Sequence, residues 1–248
     1  MKNNTRSALL IIGLLAFSLN TFSQSSNKPT YVIVHGAWGG GWSFKKVDSL
    51  LTAAGSKVYR PTLTGQGERV HLATPEIGLS THIQDVVNTI LFEDLRNVIL
   101  VGHSYGGMVV TGVADSIPER VSKLIYLDAF VPEDGESVFA LGRTPEGMKP
   151  LMENGFLIPR WVRPNQPAPK DVPHSVKTFT DKISLKNPKR MMIPAHYILT
   201  VDKGKDSSKD DFSVQADKAR KYNWPVTILE ADHNPQWSAP FQLVKILQ

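Results

Sequence analysis

No cysteine occurs among the 248 residues, so the chain has no disulfide, no thiolate nucleophile and no cysteine-ligated metal site. Charge of one sign is also scarce, because 28 basic and 23 acidic residues give a net charge of only +5. The basic residues between positions 203 and 221 alternate with aspartates, as on a solvated surface. We therefore expect a hydrophobic core to supply the stability, and neither a nucleic-acid partner nor a metal or other cofactor is expected.

Long apolar runs are missing as well, apart from residues 8–17. That run follows Lys2 and Arg6, precedes small and polar residues through Ser23, and is too short to span a bilayer comfortably. The pattern predicts a signal peptide over residues 1–23, export to the periplasm or beyond the cell, and no membrane anchor after cleavage. Loss of Lys2 and Arg6 would leave 26 basic and 23 acidic residues, a net charge of +3.

A glycine loop, residues 35–42 with the sequence HGAWGGGW, follows a β-branched run at 31–34. It matches neither the phosphate-binding loop of nucleoside triphosphatases nor the dinucleotide-binding glycine pattern. A loop of this kind after a strand can instead present backbone N–H groups to a developing oxyanion, with Ala37 or Trp38 as the donor. The glycine loop therefore indicates one half of an acyl-transfer site.

The strongest chemical signal is the segment 98–109, VILVGHSYGGMV. Its four apolar residues predict a buried strand, and the G-x-S-x-G turn at 102–106, here called the elbow, leads into a predicted helix. Such a turn strains the backbone of Ser104, while Gly102 and Gly106 let the strand and the helix approach closely. We expect the Ser104 hydroxyl to project above the sheet as a nucleophile.

Strands and helices alternate along most of the chain, which predicts an α/β fold with a mostly parallel sheet of about six strands covered by helices on both faces. Beyond the elbow, strands are predicted at 121–127, 195–201 and 226–230. Helices are predicted at 43–54, 81–95, 212–221 and 240–247.

The alternation breaks at residues 137–188, a proline-rich stretch that is too long for a connection. We interpret it as a cap inserted over the strand ends, within a core formed by residues 24–136 and 189–248. Helices are predicted around 145–152 and 176–183. The residues predicted to contact substrate are Met148, Phe156 and Trp161 of this cap segment and Trp38 of the glycine loop.

A serine hydroxyl needs an adjacent base, and the base needs an acid that orients it. Of seven histidines, only His233 follows the last predicted strand, where an α/β-hydrolase carries its base. Three candidate acids follow predicted strands, namely Asp128, Asp202 and Asp206. We prefer Asp128 because short, regular elements flank it, and the other two remain alternatives.

The resemblance to a known family rests on HGAWGGGW, TLTGQGERVHL (residues 62–72), GHSYGG, LDAFVPEDGES and ADH. On these motifs the sequence resembles the α/β-hydrolase superfamily, in the branch of plant methyl-ester esterases and hydroxynitrile lyases, and is most similar to bacterial carboxylesterases of that branch. The resemblance implies Ser104 as nucleophile, His233 as base, and an oxyanion hole formed by the N–H groups of Ala37 and Tyr105.

The resemblance leaves the acid open. Plant members of the branch carry their acid after the penultimate strand, which favours Asp202 or Asp206. Some haloalkane dehalogenases of the superfamily instead carry it where Asp128 stands, 24 residues after Ser104.

Related reactions are disfavoured by two positions. The dehalogenases use an aspartate nucleophile where this chain has Ser104, and the plant lyases have a lysine where Asn234 follows His233. The sequence therefore predicts a secreted serine hydrolase that cleaves small-molecule carboxylic esters through an acyl-enzyme. The alternatives are a lyase or an acyltransferase on the same triad, or a non-catalytic protein that binds small molecules with this fold.

Overall fold

The computed structural model describes residues 28–142 and 144–248, and its centre is a parallel sheet. In this part of the chain the strands are β1 (Thr30–Val34), β2 (Lys57–Tyr59), β3 (Val98–His103), β4 (Val121–Leu127), β5 (Met152–Glu153), β6 (Phe156–Leu157), β7 (His174–Ser175), β8 (Ala195–Val201) and β9 (Val226–Glu230). Six of them form one sheet in the order β2-β1-β3-β4-β8-β9, and every neighbouring pair is parallel. The predicted six-stranded α/β architecture is confirmed.

Helices cover the two faces of this sheet. The described α-helices are α1 (Lys45–Ala53), α2 (Leu79–Phe92), α3 (Gly106–Ser116), α4 (Pro145–Met148), α5 (Lys177–Thr180), α6 (Ser213–Lys221), α7 (Pro235–Ser238) and α8 (Pro240–Leu247). Short 3₁₀ turns lie at Gly41–Phe44, Gly67–Leu72, Pro118–Arg120, Lys149–Leu151, Pro188–Met192 and Ser207–Lys209.

The alternation of side chains along each strand divides the core into two clusters. Val32 and Val34 of β1 pack into one cluster with α2, α3 and α6. Tyr31 and Ile33 of the same strand pack into the other cluster with α1 and α8. Because successive strand residues point to opposite faces, a strand that is apolar throughout is buried on both sides.

The strand register brings the carboxyl ends of β1, β3 and β4 side by side. Val34 pairs with Gly102, and His103 pairs with Leu127. The glycine loop, the elbow and the residue that follows β4 therefore emerge at the same edge of the sheet, where ligands bind in open α/β folds.

The helix boundaries differ from the predicted ones by a few residues. The helix predicted at 43–54 begins at Lys45, because Gly41–Phe44 forms a 3₁₀ turn. The helix predicted at 81–95 spans Leu79–Phe92, and it ends where Asp94 adopts a left-handed φ of 43° that cannot continue a helix.

The cap segment contains a small sheet that the sequence interpretation missed. Strands β5, β6 and β7 form an antiparallel sheet in that order. The turn between β5 and β6 is Asn154-Gly155, with both residues at positive φ, which is the turn that favours two-residue hairpins. The helices predicted around 145–152 and 176–183 are only one turn long, at Pro145–Met148 and Lys177–Thr180.

The predicted signal peptide, residues 1–23, lies outside the described residues. Within residues 28–142 and 144–248, no helix is long and apolar enough to cross a bilayer.

Candidate active site

The elbow holds Ser104 in a left-handed conformation, with φ at 54°. Its N–H donates to the Leu127 carbonyl at 3.2 Å, which ties the turn to the neighbouring strand. A Cβ added at Gly102 would lie 2.7 Å from the Gly106 carbonyl oxygen, and one added at Gly106 would lie 2.6 Å from the Val34 carbonyl oxygen. Because a side chain would clash at both positions, the two glycines allow the close approach that exposes the serine.

His233 lies in the loop that follows β9, and it bridges two side chains. Its Nε2 is 3.0 Å from the Ser104 hydroxyl oxygen, and its Nδ1 is 2.6 Å from Oδ2 of Asp128. Because a carboxylate only accepts, Nδ1 donates its proton to Asp128, and Nε2 is left to accept from Ser104. This is the arrangement in which an imidazole takes a proton from a serine.

Asp128 is held by the sheet itself. It directly follows β4, has a φ of 45°, and is only 1% exposed. Its Oδ1 accepts the Thr200 N–H at 3.0 Å, and its own N–H donates to the Ile198 carbonyl at 2.7 Å. These bonds to β8 replace the lost hydration of the buried carboxylate and aim Oδ2 at His233.

The alternative acids do not reach the histidine. Asp202 forms a surface ion pair with Lys205 at 2.5 Å, and Asp206 accepts the Ser208 N–H at 3.0 Å. The alternative assignment of Asp202 or Asp206 as the partner of His233 is therefore wrong in this structure, because both side chains bond within their own loop.

Two other histidines are buried with both ring nitrogens occupied. His35 donates from Nδ1 to the Gly36 carbonyl at 2.7 Å and accepts the Leu63 N–H at Nε2. His82 is bonded to the Tyr105 hydroxyl and to a backbone carbonyl, each at 2.9 Å. Burial lowers the pKa of both His35 and His82 to about 4, so both imidazoles are neutral and structural.

His103 supports the loop that carries His233. Its Nε2 donates to the His233 carbonyl at 2.8 Å, and the two ring centroids are 4.9 Å apart. Burial, and then the positive charge that His233 can carry, lower the pKa of His103 to about 3. A neutral His103 therefore orients His233 without competing with it as a base.

Of the two oxyanion donors predicted in the glycine loop, Ala37 is available and Trp38 is not. In the described part of the chain, the N–H groups of Ala37 and Tyr105 have no hydrogen-bond acceptor, and Ala37 lines the same cavity as Ser104. The Trp38 N–H instead donates to Nδ1 of His174 at 3.2 Å. The assignment of Trp38 as an alternative oxyanion donor is therefore wrong, because its N–H is turned toward the cap segment.

The cavity at Ser104 has a volume of about 200 Å³, and two of the four predicted substrate contacts line it. Trp38 and Trp161 are among its walls, packed edge to face with centroids 5.1 Å apart. Asp171, whose Oδ2 accepts the Trp161 indole N–H at 2.8 Å, and Trp237 also line it, although the sequence interpretation did not select them. Trp237 lies four residues after His233, a proximity that could have indicated it.

The other two predicted substrate contacts are misplaced. Met148 is 8% exposed and packs in the main core cluster. Phe156 borders a separate small space beside Thr64 and His82. Both predictions are wrong because the hairpin and the helix turn of the cap segment direct these side chains away from Ser104.

Metal ligands are not gathered anywhere in residues 28–142 and 144–248, since no group of three or more His, Cys, Asp or Glu side chains is placed to hold a metal ion.

The chain resembles known proteins in sequence and in fold. A model described as the alpha/beta hydrolase family matches residues 31–246. The chain is 50% identical over 127 residues to a carbendazim hydrolyzing esterase of Nocardioides sp. (strain SG-4G), which covers 51% of this chain and 52% of that protein. It is 30% identical over 253 residues to the pFDCC methylesterase MES16 of Arabidopsis thaliana, which covers 88% of this chain and 92% of that protein.

Solved structures show the same fold. The crystal structure of MES16 from Arabidopsis superposes with a TM-score of 0.66 at 28% identity, covering 88% of this chain and 97% of that one. An extracellular alpha/beta-hydrolase from a Paenibacillus species superposes with a TM-score of 0.73 at 22% identity and the same coverage, a likeness that shows the fold alone. The chain spans about half the length of the first curated relatives that it matches.

Proposed function

Since the chain belongs to the alpha/beta hydrolase family, we propose that it is a serine carboxylesterase that cleaves small-molecule esters at Ser104. The observation that carries the proposal is the position of His233, 3.0 Å from the Ser104 hydroxyl oxygen on one side and 2.6 Å from Asp128 on the other. A serine with such a base and acid is the group needed for acyl transfer.

In the proposed first step, Ser104 Oγ bonds to the ester carbonyl carbon while its proton passes to Nε2 of His233. The carbonyl oxygen becomes an oxyanion, which the N–H groups of Ala37 and Tyr105 stabilise. Asp128 stabilises the imidazolium through Nδ1. His233 then returns the proton to the leaving alcohol, the C–O bond breaks, and an acyl-Ser104 remains.

In the second step, water attacks the acyl carbon while His233 accepts its proton. Collapse of this second oxyanion breaks the bond to Ser104 and releases the carboxylic acid, while His233 returns the proton to Ser104 Oγ and so restores the serine hydroxyl. The His233 side chain is 37% exposed, so water has access to the base in the acyl-enzyme.

The cavity favours compact substrates. Its volume of about 200 Å³ is below the range usual for drug-sized ligands, and its walls combine the Trp38 and Trp161 rings with the carboxylate of Asp171. Relatives are named for methylesterase and carbendazim hydrolysis. We therefore propose esters with a small alcohol, methyl esters first, and carbendazim as a substrate to be tested.

Turnover of p-nitrophenyl acetate by the native protein and by Ser104→Ala tests the proposal. We expect the variant to lose at least about 10³-fold in kcat. Covalent labelling by a fluorophosphonate should occur on the native protein alone, and labelling without turnover would indicate a reactive serine outside an esterase cycle. Retention of most turnover by Ser104→Ala would overturn the proposal.

Export is a separate proposal that rests on residues 1–23. Expression of the full chain in a Gram-negative host, followed by the intact mass of the periplasmic protein, tests it. A mass that corresponds to loss of about 23 residues is expected, and an uncleaved cytoplasmic product would contradict export.

A further inference from the structure

Trp38 is the point at which the glycine loop is attached to the cap segment. Its N–H donates to Nδ1 of His174 at 3.2 Å, its carbonyl accepts the Val172 N–H at 2.9 Å, and its indole N–H donates to the Leu157 carbonyl at 2.9 Å. All three partners belong to residues 137–188. Every polar group of Trp38 is therefore bonded to the cap segment.

The backbone of Trp38 needs this attachment. Its φ is 64°, the left-handed region that a bulky side chain rarely adopts. Residues held in such a conformation relax unless the surrounding structure holds them. The three bonds to the cap segment restrain the turn in this shape, and the turn includes Ala37, which lines the cavity at Ser104.

His174 contributes the bond that orients the peptide group between Ala37 and Trp38. The imidazole is fully buried, and because Nδ1 accepts, Nε2 carries the proton. Nε2 has no hydrogen-bond partner in the described structure, and the ring lies edge-on to the Tyr105 ring with centroids 5.0 Å apart. Within residues 28–142 and 144–248, the Trp38 N–H is thus the only hydrogen-bond partner of this side chain.

We propose that His174 is a positioning residue for the oxyanion hole: by accepting the Trp38 N–H, it holds the glycine loop in the shape that leaves the Ala37 N–H free beside Ser104. The inference rests on the proposed esterase function, in which Ala37 is an oxyanion donor. If His174 has this role, contact between the cap segment and the glycine loop is required for stabilisation of the transition state as well as for substrate binding.

Two variants with the same branched shape separate this role from a purely structural one. His174→Asn places an amide oxygen near the position of Nδ1, whereas His174→Leu has no acceptor. The leucine removes the unpaired Nε2–H but leaves the Trp38 N–H without an acceptor; because these two effects oppose each other, its melting temperature should stay close to the native value. The asparagine buries an extra amide donor, so its melting temperature should be lower.

The kcat of each variant should depend on whether residue 174 carries a hydrogen-bond acceptor, and not on the melting temperature of the variant. For p-nitrophenyl acetate, we expect kcat to fall about 5- to 10-fold in His174→Leu, which is the factor of one net hydrogen bond, with KM within about twofold. His174→Asn should keep kcat within about twofold of the native value. If the leucine variant does not fold, His174→Phe, which keeps a ring and lacks the acceptor, takes its place.

A short-chain trifluoromethyl ketone reports on the oxyanion directly. Ser104 Oγ adds to its carbonyl carbon, the serine proton passes to His233, and the carbonyl oxygen becomes an oxyanion without any leaving group. The inhibition constant should rise in His174→Leu by the same factor by which kcat falls, and it should stay near the native value in His174→Asn.

The outcomes distinguish failure of the positioning role from failure of the esterase proposal. An active native protein with unchanged kcat and inhibition constant in His174→Leu would overturn the positioning role and leave the esterase proposal intact. A loss of kcat that follows the melting temperature across the variants would also overturn it. A native protein that neither turns over the ester nor reacts with a fluorophosphonate would overturn both proposals.

Discussion

A change of Asp128 to asparagine replaces one carboxylate oxygen with an NH₂ group and keeps the shape of the side chain. Because Oδ1 accepts the Thr200 N–H at 3.0 Å, the amide oxygen of the variant stays on that side and the NH₂ group faces His233. An NH₂ group cannot accept the Nδ1 proton that Asp128 accepts at 2.6 Å. The imidazole must then carry its proton on Nε2, where it cannot take the proton of Ser104.

The expected loss is about 10⁴-fold in kcat, the size known for the same change in a serine protease triad, and it corresponds to about 5 kcal/mol of transition-state stabilisation. Asp128 is only 1% exposed, so water cannot replace the lost acceptor. KM should change less than about threefold, because Asp128 does not line the cavity at Ser104. The fold should persist because the bond to Thr200 is kept.

Hydrolysis of p-nitrophenyl acetate by purified Asp128→Asn measures this loss, and Asp202→Asn and Asp206→Asn are the matched controls. Both control side chains lie in the polar loop after β8 and should leave kcat within about twofold of the native value. The assignment of Asp128 as the acid that orients His233 is wrong if Asp128→Asn keeps more than a tenth of the native kcat. A loss in either control as large as that in Asp128→Asn would refute it equally.

Two further predictions concern buried histidines. His103→Leu should lower kcat about 10-fold, because it removes the hydrogen bond to the His233 carbonyl. His103→Gln can still donate to that carbonyl and should keep most of the activity. Equal losses of kcat in the two variants, measured on the same ester, would show that this hydrogen bond does not support activity. Burial holds the pKa of His35 and His82 at about 4, below the unfolded value near 6.5, so the unfolded state binds more protons between these values. The free energy of unfolding, measured with urea, should be greatest above pH 6.5 and should be lower at pH 5 by about 2 kcal/mol for each of these two histidines. A free energy of unfolding that does not change between pH 7 and pH 5 would contradict this prediction.

Much of the core could be predicted because its signals are local. Strands Val121–Leu127 and Ala195–Val201 are mostly apolar, each ends in a fully buried run, and they occur where predicted. The elbow is also a local signal, since both glycines lie within two residues of Ser104 in the chain. Helix ends were less certain, because they depend on single residues such as Asp94 with its left-handed φ.

The cap segment was predicted less well, although one local signal was present. Asn154-Gly155 is a dipeptide typical of two-residue hairpin turns, and it lies between Met152-Glu153 and Phe156-Leu157. The direction of the side chains in this segment could not be predicted, because it depends on which surface the small sheet packs against. Met148 and Phe156 consequently point away from Ser104, while Asp171 and Trp237 line its cavity.

The sequence by itself determined the fold class, the strained turn at Ser104 and the place of His233 after the last strand, because each depends on residues adjacent in the chain. The regular elements around Asp128 favour it over Asp202 and Asp206, but all three follow strands, and the contact with His233 is established by the tertiary structure alone. The pairing lies 105 residues apart in the chain, and it depends on β4 and β8 being neighbours, so that β8 can orient the Asp128 carboxylate. Contacts of that range are set by the order of strands in the sheet, which no local pattern encodes.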